Sequence, residues 1–202
     1  MTSYYESFDG SAVDLSWTAL RDNVPWTLNG DGTGSLLNSG GNTYQRMNGD
    51  LGSTDHYSEV LLGRTWANNA NGDPRAVLLL RADPSALTYY AASLQLTNNV
   101  LSFLYWVNGA LPDGGPFGTT PNQSIAIPTD GPLSFRFGVE GSTFRAWLNG
   151  ELVKTEADTR RTTGTLGGTG VQRGTTITFA EFRAGALADA PAGHSGRQLL
   201  AA

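Results

Sequence analysis

The 202-residue chain contains no cysteine. That absence removes disulfides, thiolate nucleophiles and cysteine-ligated zinc together, so a fold of this length has to rest on its apolar core. Lysine is nearly missing too, since Lys154 is the one lysine among 13 basic residues. Against 18 acidic residues and a net charge of −5, no basic stripe exists that would hold nucleic acid or an anionic lipid surface. Histidine occurs twice, at His56 and His194, far apart and outside any Gly-x-Ser-x-Gly elbow or triad context. No nucleophile–base pair or transition-metal signature follows from them. No run approaches the ~18 apolar residues of a membrane-spanning helix. The opening MTSYYESFDG has neither the basic nor the apolar region of a secretory leader. Helical periodicity is weak, and its best stretch, residues 13–20, reads as a turn or a β-linked segment.

What is present is alternation. In SFRFGVEGSTFRAWLNGELV (134–153), Phe135, Phe137 and Val139 alternate with Ser134, Arg136 and Gly138. The rhythm breaks at Glu140-Gly141-Ser142, resumes with Phe144, Ala146 and Leu148, and breaks again at Asn149-Gly150. Three antiparallel strands joined by two tight turns are expected. Similar signals mark strands near 4–8, 35–38, 43–47, 56–62, 76–81, 89–96, 100–106, 125–127, 164–171 and 176–183. Between them stand Asn29-Gly30, Asp31-Gly32, Asn108-Gly109 and Asp113-Gly114, residues that accept positive φ at little cost. Two strands, AVLLLR and LSFLYWV, are apolar on both faces. They require cover on both sides, from a second sheet and from a loop or a neighbouring subunit. An all-β, two-sheet antiparallel sandwich follows, spanning residues 1–185. Residues 186–202 lose the alternation and read as a C-terminal tail whose Leu199 and Leu200 are available to a partner, or as a frayed end.

The order of ESFDG, LSWTAL, DHYSEVLLG, AVLLLRAD, YYAASLQL, LSFRFGVEGSTFRAWLNGELV and TITFAEFRAG resembles the concanavalin A-like lectin/glucanase jelly roll. It is most similar to the laminin-G-like versions in minor tail proteins of actinobacterial phages. The resemblance implies a jelly-roll sandwich serving adhesion, glycan binding, virion structure or glycoside hydrolysis, a choice that fold alone does not make.

Hydrolysis needs two carboxyl groups facing one sugar, about 5–5.5 Å apart in retaining enzymes. Glucanases of the resembled family carry Glu-x-Asp-x-x-Glu on one strand, and this chain has no such motif. Its nearest approach is Asp55 and Glu59, which also read as a solvated strand-start pair. Calcium, which laminin-G-like domains often hold through loop oxygens, has candidate ligands in Asp31 of NGDGTG and Asp73 of NNANGDP, although both loops are equally good turn formers. Sugars stack on aromatic rings and hydrogen-bond to amides, which nominates Trp66 with Asn68 and Asn69, then Tyr105 and Trp106. Trp17, Trp26 and Trp147 read as packing residues. TGTLGGTGV lacks the lysine and helix of a phosphate loop, so Gly167-Gly168 is expected to mark a β-bulge or a close backbone approach.

These readings converge on a non-enzymatic structural or adhesive virion protein, in a phage tail tip or fibre, presenting a lectin-like domain to host glycan or to neighbouring virion proteins. The expected assembly is a homo-oligomer or lattice formed in the host cytoplasm, with no nucleic acid, no membrane insertion and no cofactor beyond calcium. A capsid decoration protein of the same fold is the first alternative, and a bacterial carbohydrate-binding module or degenerate glucanase the second.

Overall fold

The computed structural model describes residues 2–22, 24–36, 41–63, 73–111, 115–129, 131–172 and 177–189. Most of the alternating sequence becomes strand. The strands are β1 (Ser3–Glu6), β2 (Trp17–Arg21), β3 (Trp26–Leu28), β4 (Gly34–Leu36), β5 (Asn42–Met47), β6 (His56–Leu62), β7 (Arg75–Ala82) and β8 (Tyr89–Gln95). They continue with β9 (Val100–Trp106), β10 (Asn122–Ser124), β11 (Leu133–Glu140), β12 (Thr143–Leu148), β13 (Glu151–Ala157), β14 (Leu166–Gln172) and β15 (Thr178–Ala186). A single 3-10 turn, Leu187–Asp189, closes the described chain.

The strands form two antiparallel sheets. One has eight strands in the order β13-β12-β11-β6-β15-β4-β3, with β1 paired to β15; the other has seven, β10-β9-β8-β7-β14-β5-β2. Between them lies the main core, in which Phe135, Phe137, Phe144 and Phe182 of the first sheet meet Leu78, Tyr90 and Phe103 of the second. Ring pairs stitch the layers, Phe103–Phe137 at 4.9 Å and Tyr90–Phe144 at 4.3 Å between centroids. Trp17 and Trp26 extend this core against Phe182 and Phe179, as packing residues should.

The turn residues behave as their chemistry demands. Asn149 and Gly150 take φ of 48° and 84°, and Asn108 and Gly109 take 50° and 80°, the positive pair that a two-residue hairpin turn requires. One expectation needs correction. Residues 125–127 are not strand: β10 lies just before them, and Ile125 and Ile127 instead pack irregularly against the main core. Edge strand β2, Trp17–Arg21, overlaps the weakly helical stretch 13–20 and agrees with its reading as a β-linked segment.

The sheets are clasped by Arg81 and His56. Arg81 holds a left-handed φ of 49° and is buried. Its guanidinium donates to the carbonyls of Thr54, Arg161 and Gly141 and approaches Asp55 at 3.4 Å. Its backbone N–H donates to His56 Nε2 at 3.1 Å, while His56 Nδ1–H donates to Ser53 O at 3.0 Å. Both imidazole nitrogens are thereby used by the neutral ring, which is fully buried. Burial lowers the His56 pKa from 6.5 to about 4.

Two predictions follow from the clasp. Between pH 6.5 and about 4 the unfolded chain takes up a proton on His56 that the folded chain refuses, so stability falls as the pH drops through that window. Urea unfolding at pH 7 and pH 5 should differ by ~2 kcal/mol from this residue, and His56→Gln should flatten that difference. Arg81→Met removes the donor from the carbonyls of Thr54, Arg161 and Gly141 and should lower stability by ~2–4 kcal/mol, read as the urea midpoint at pH 7.

Candidate functional site

The outward face of the seven-stranded sheet carries a second apolar layer. Val77 and Leu79 of β7, Tyr89 and Ala91 of β8, Leu104 and Trp106 of β9, and Tyr44 of β5 cluster there, apart from the main core. This is what the two-sided strands AVLLLR and LSFLYWV become. Their second face is buried within the chain itself, so its apolar character calls for no neighbouring copy. Part of the cover is the connection after β9, where Leu111 packs on the cluster, Pro116 bridges Leu104 and Phe117 N–H donates to Phe103 O at 2.8 Å.

Glycines of β14 create the space for this layer. A Cβ on Gly170 would stand 2.3 Å from Thr43 O and 2.7 Å from the Tyr44 ring, and one on Gly168 would stand 2.3 Å from Gln45 O. Their bareness lets β5 and the Tyr44 ring lie close across β14. The register shift between Leu166 and Gly168 is the bulge expected of Gly167-Gly168. Tyr44, Tyr89 and Trp106 then gather with centroids 6.0–6.2 Å apart, and the Arg21 guanidinium lies 5.0 Å from the Trp106 ring centroid. Burial raises the pKa of both tyrosines, Tyr44 above all, so their phenols stay protonated. Gln172 bridges this layer, donating to Tyr44 Oη and accepting from Ser93 Oγ at 3.3 Å.

Beside the cluster, on the same face, opens a groove of ≈ 610 Å³. Asn42, Arg75, Gln95, Asn122 and Gln172 supply polar groups along it, and Leu104, Trp106, Leu111 and Pro116 the apolar wall. No aspartate or glutamate lies among its described lining residues. Nor do the seven strands of this sheet contain any acidic residue, whereas the eight strands of the other carry Glu6, Glu59, Glu140, Glu151, Glu156 and Glu181. An amide-and-aromatic groove of this size can hold a small polar ligand by stacking and hydrogen bonding.

The nominated residues separate accordingly. Trp106 lines the groove, while alternation turns Tyr105 to the opposite face, stacked on Tyr90 at 4.7 Å in the main core. The two rings do not share a platform. Trp66, Asn68 and Asn69 lie outside the described residues, in the connection between β6 and β7. Asp31 spends its carboxylate on its own turn, accepting from Thr33 N at 3.1 Å and Thr33 Oγ1 at 2.6 Å, bonds that lower its pKa. Asp73 caps the β8–β9 turn by accepting from Thr97 N at 3.0 Å and Asn98 N at 3.3 Å. No group of three or more metal-ligating side chains exists among the described residues. Both aspartates serve as acceptors within turns. Asp55 precedes β6 and binds Gly141 N and Arg81, while Glu59 is buried on the outer face of the other sheet, ion-paired to Arg136 at 2.9 Å and accepting from Ser134 Oγ at 2.6 Å. They do not face a common ligand. Asn42, Arg75, Gln95 and Gln172 went unnoticed because only strand order places β5, β14, β7 and β8 side by side.

No protein-family model matches the sequence, and no curated protein matches it. Solved structures do. A β-1,3-1,4-glucanase (lichenase) derived from a mouse hindgut metagenome superposes with a TM-score of 0.63 at 13% identity, over 93% of this chain and 100% of that one. The carbohydrate-binding module CBM66 from Bacillus subtilis gives 0.55 at 18% over 84% and 92%. The exoplasmic/lumenal domain of VIP36, in a Ca2+/Man-bound form, gives 0.60 at 10% over 96% and 93%. The fold is the concanavalin A-like jelly roll. Identities this low carry the architecture only, which lectins, binding modules and glucanases share.

If the Gly170 approach builds the aromatic layer, Gly170→Ala should lower stability by ~1–3 kcal/mol. An unchanged urea midpoint would remove the close approach from this account.

Proposed function

We propose that this chain is a non-catalytic, lectin-like carbohydrate-binding domain whose ligand lies in the groove on the outer face of the seven-stranded sheet. The observation that carries this reading is the lining itself: Trp106 beside the side-chain amides of Asn42, Gln95 and Asn122. Amides present both donor and acceptor to a sugar hydroxyl, and an indole presents an apolar edge or face to sugar C–H groups. The absence of acidic residues from all seven strands supports binding over glycoside hydrolysis, because those strands offer neither a general acid nor a carboxylate nucleophile. Solved glucanases and a carbohydrate-binding module of the same fold support a glycan as the ligand class.

The setting we propose is a virion, as a structural or adhesive component of a phage tail, with residues 186–202 docking on neighbouring virion proteins. Its support is the resemblance of the strand motifs to laminin-G-like tail proteins. Within the tail segment, β15 runs on to Ala186, and Leu187 then lies over Gly138 of β11 with its N–H donating to Asp55 O at 3.0 Å. A stand-alone carbohydrate-binding module is the second reading, favoured by the superposition on CBM66 along 92% of that module.

A glycan array probed with the full chain tests the groove. Binding should appear for some saccharides, with no release of reducing ends. Gln95→Ala combined with Asn122→Ala should weaken it about tenfold or more, one to two hydrogen bonds' worth, at an unchanged melting temperature. Retained affinity in that double variant would move the ligand elsewhere. Mass spectrometry of purified particles tests the setting, and absence of the chain from them would favour the free module.

A further inference from the structure

Two serines set the polarity of amides along the groove. Ser93 and Ser102 stand opposite one another on β8 and β9, both buried, and alternation puts them on the outward face with Ala91 and Leu104. Ser102 donates from Oγ to Asn122 Oδ1 at 2.6 Å across the β9–β10 pair. That length suits an O–H···O bond and is shorter than N–H···O bonds, about 2.7–3.2 Å, so the amide oxygen and not its nitrogen faces the serine. Ser93 Oγ likewise donates to Gln172 Oε1 at 3.3 Å, and Gln172 Nε2 donates to Tyr44 Oη. The Gln172 amide is thus spent within the sheet. Asn122 is exposed and lines the groove, and with Oδ1 engaged it offers a ligand its Nδ2 hydrogens.

Beside this donor the lining changes character. Leu104 is the next outward residue of β9 after Ser102, about 7 Å along the strand. Pro116 bridges to it, and Leu111 packs on the same cluster. A directed N–H donor bordering an apolar wall fits a group that joins one carbonyl oxygen to one methyl. A sugar hydroxyl both gives and takes a hydrogen bond and carries no methyl, so it uses less of this arrangement. An acetamido substituent uses all of it. Its carbonyl accepts, and burial of its methyl removes apolar surface from water.

We propose that the groove selects an N-acetylated saccharide, whose acetamido carbonyl accepts from Asn122 Nδ2 while its methyl rests on Leu104 and Pro116. This rests on the groove being the carbohydrate site and specifies which carbohydrates it takes. Ser102 is the positioning residue. It acts through Asn122, holding the amide so that the donor meets the ligand carbonyl. Without that bond the amide can turn over, and one of its two orientations sets oxygen against oxygen. The amides of Asn42 and Gln95 serve the sugar hydroxyls.

Chito-oligosaccharide and cello-oligosaccharide of equal length test this by isothermal titration with the full chain. The two share linkage and charge and differ in the acetamido group. The acetylated member should bind about tenfold or more tighter, the worth of one hydrogen bond and one buried methyl. Asn122→Asp keeps an acceptor for Ser102 but replaces the donor with an oxygen. It should erase most of the advantage while leaving the affinity for cello-oligosaccharide within about twofold. Ser102→Ala should cut the advantage about threefold at an unchanged melting temperature, and should add nothing once Asn122 is alanine, a coupling that a merely structural serine would not show. Equal affinity for the two ligands, or an advantage that stays whole in Asn122→Asp or Ser102→Ala, overturns the inference and leaves the carbohydrate groove standing. Should neither ligand bind, glycan-array hits without an acetamido group overturn the inference and hits with one support it. Binding that ignores the Gln95→Ala, Asn122→Ala double variant, or no binding to any saccharide, overturns both.

Discussion

A buried arginine ties this sandwich together. Arg81 belongs to the seven-stranded sheet, yet its guanidinium reaches the approach to β6, the β11–β12 turn and the segment after β13, all tied to the other sheet. Burial pulls its pKa down, with Asp55 opposing that pull, and the carbonyl oxygens around it replace the water it lost. A guanidinium suits the task because its five donors lie in a fixed plane and can serve three segments together. Arg161 returns the bond by donating from Nε to Arg81 O at 3.0 Å and by pairing with Asp83. Hydrophobic packing between the sheets is strong and non-directional, whereas this knot and the His56 bridge are directional and set where the sheet ends meet.

The same economy appears at the edge of the eight-stranded sheet. Lys154, the one lysine, is buried on the inner side of edge strand β13, where it donates to Thr120 O at 2.6 Å and pairs with Glu156 at 3.0 Å. Glu156 in turn accepts from Thr119 N at 2.8 Å and Thr120 N at 3.1 Å. These bonds hold the segment that carries Pro116 and Phe117, one wall of the groove, against the other sheet. Gly118, at a φ of 102°, has no room for a Cβ beside the Glu156 carboxylate. Buried charges are costly unless fully paired, and here they are used to fix a loop. Pro116 and Phe117 are thereby tied to both sheets, through Leu104 and Phe103 on one side and Glu156 on the other.

The outer face shows why sheet surfaces of this fold suit different chemistries. Its backbone offers parallel rows of outward positions, and what stands on them decides the outcome. Carboxylates there would permit hydrolysis; this chain has amides, arginines and aromatic rings. The second apolar layer beneath them, Tyr44 with Tyr89 and Trp106, does for the face what the main core does for the sheets, holding side chains in place by packing rather than by charge.

Much of the architecture was legible in the alternation itself. Bounds of β6 and β9 coincide with the expected strands, and Asn108-Gly109 and Asn149-Gly150 adopt the backbone their side chains permit, because both signals are local. Residues 125–127 misled because an Ile-rich run between prolines packs on a core equally well without joining a ladder. Two-sided strands also announced that something covers their second face, yet whether a loop or a neighbour does so depends on contacts between residues distant in sequence. The site was hidden for the same reason. Trp106 stood out as an aromatic, but Tyr105 beside it had to be separated by strand direction. Asn42, Arg75, Gln95 and Gln172 are unremarkable one by one. Sequence determined the strands, the turns and the scarcity of catalytic groups, since these follow from neighbours along the chain. Only tertiary structure decided which strands adjoin, and so gathered those four residues into one groove and set every strand glutamate on the opposite sheet.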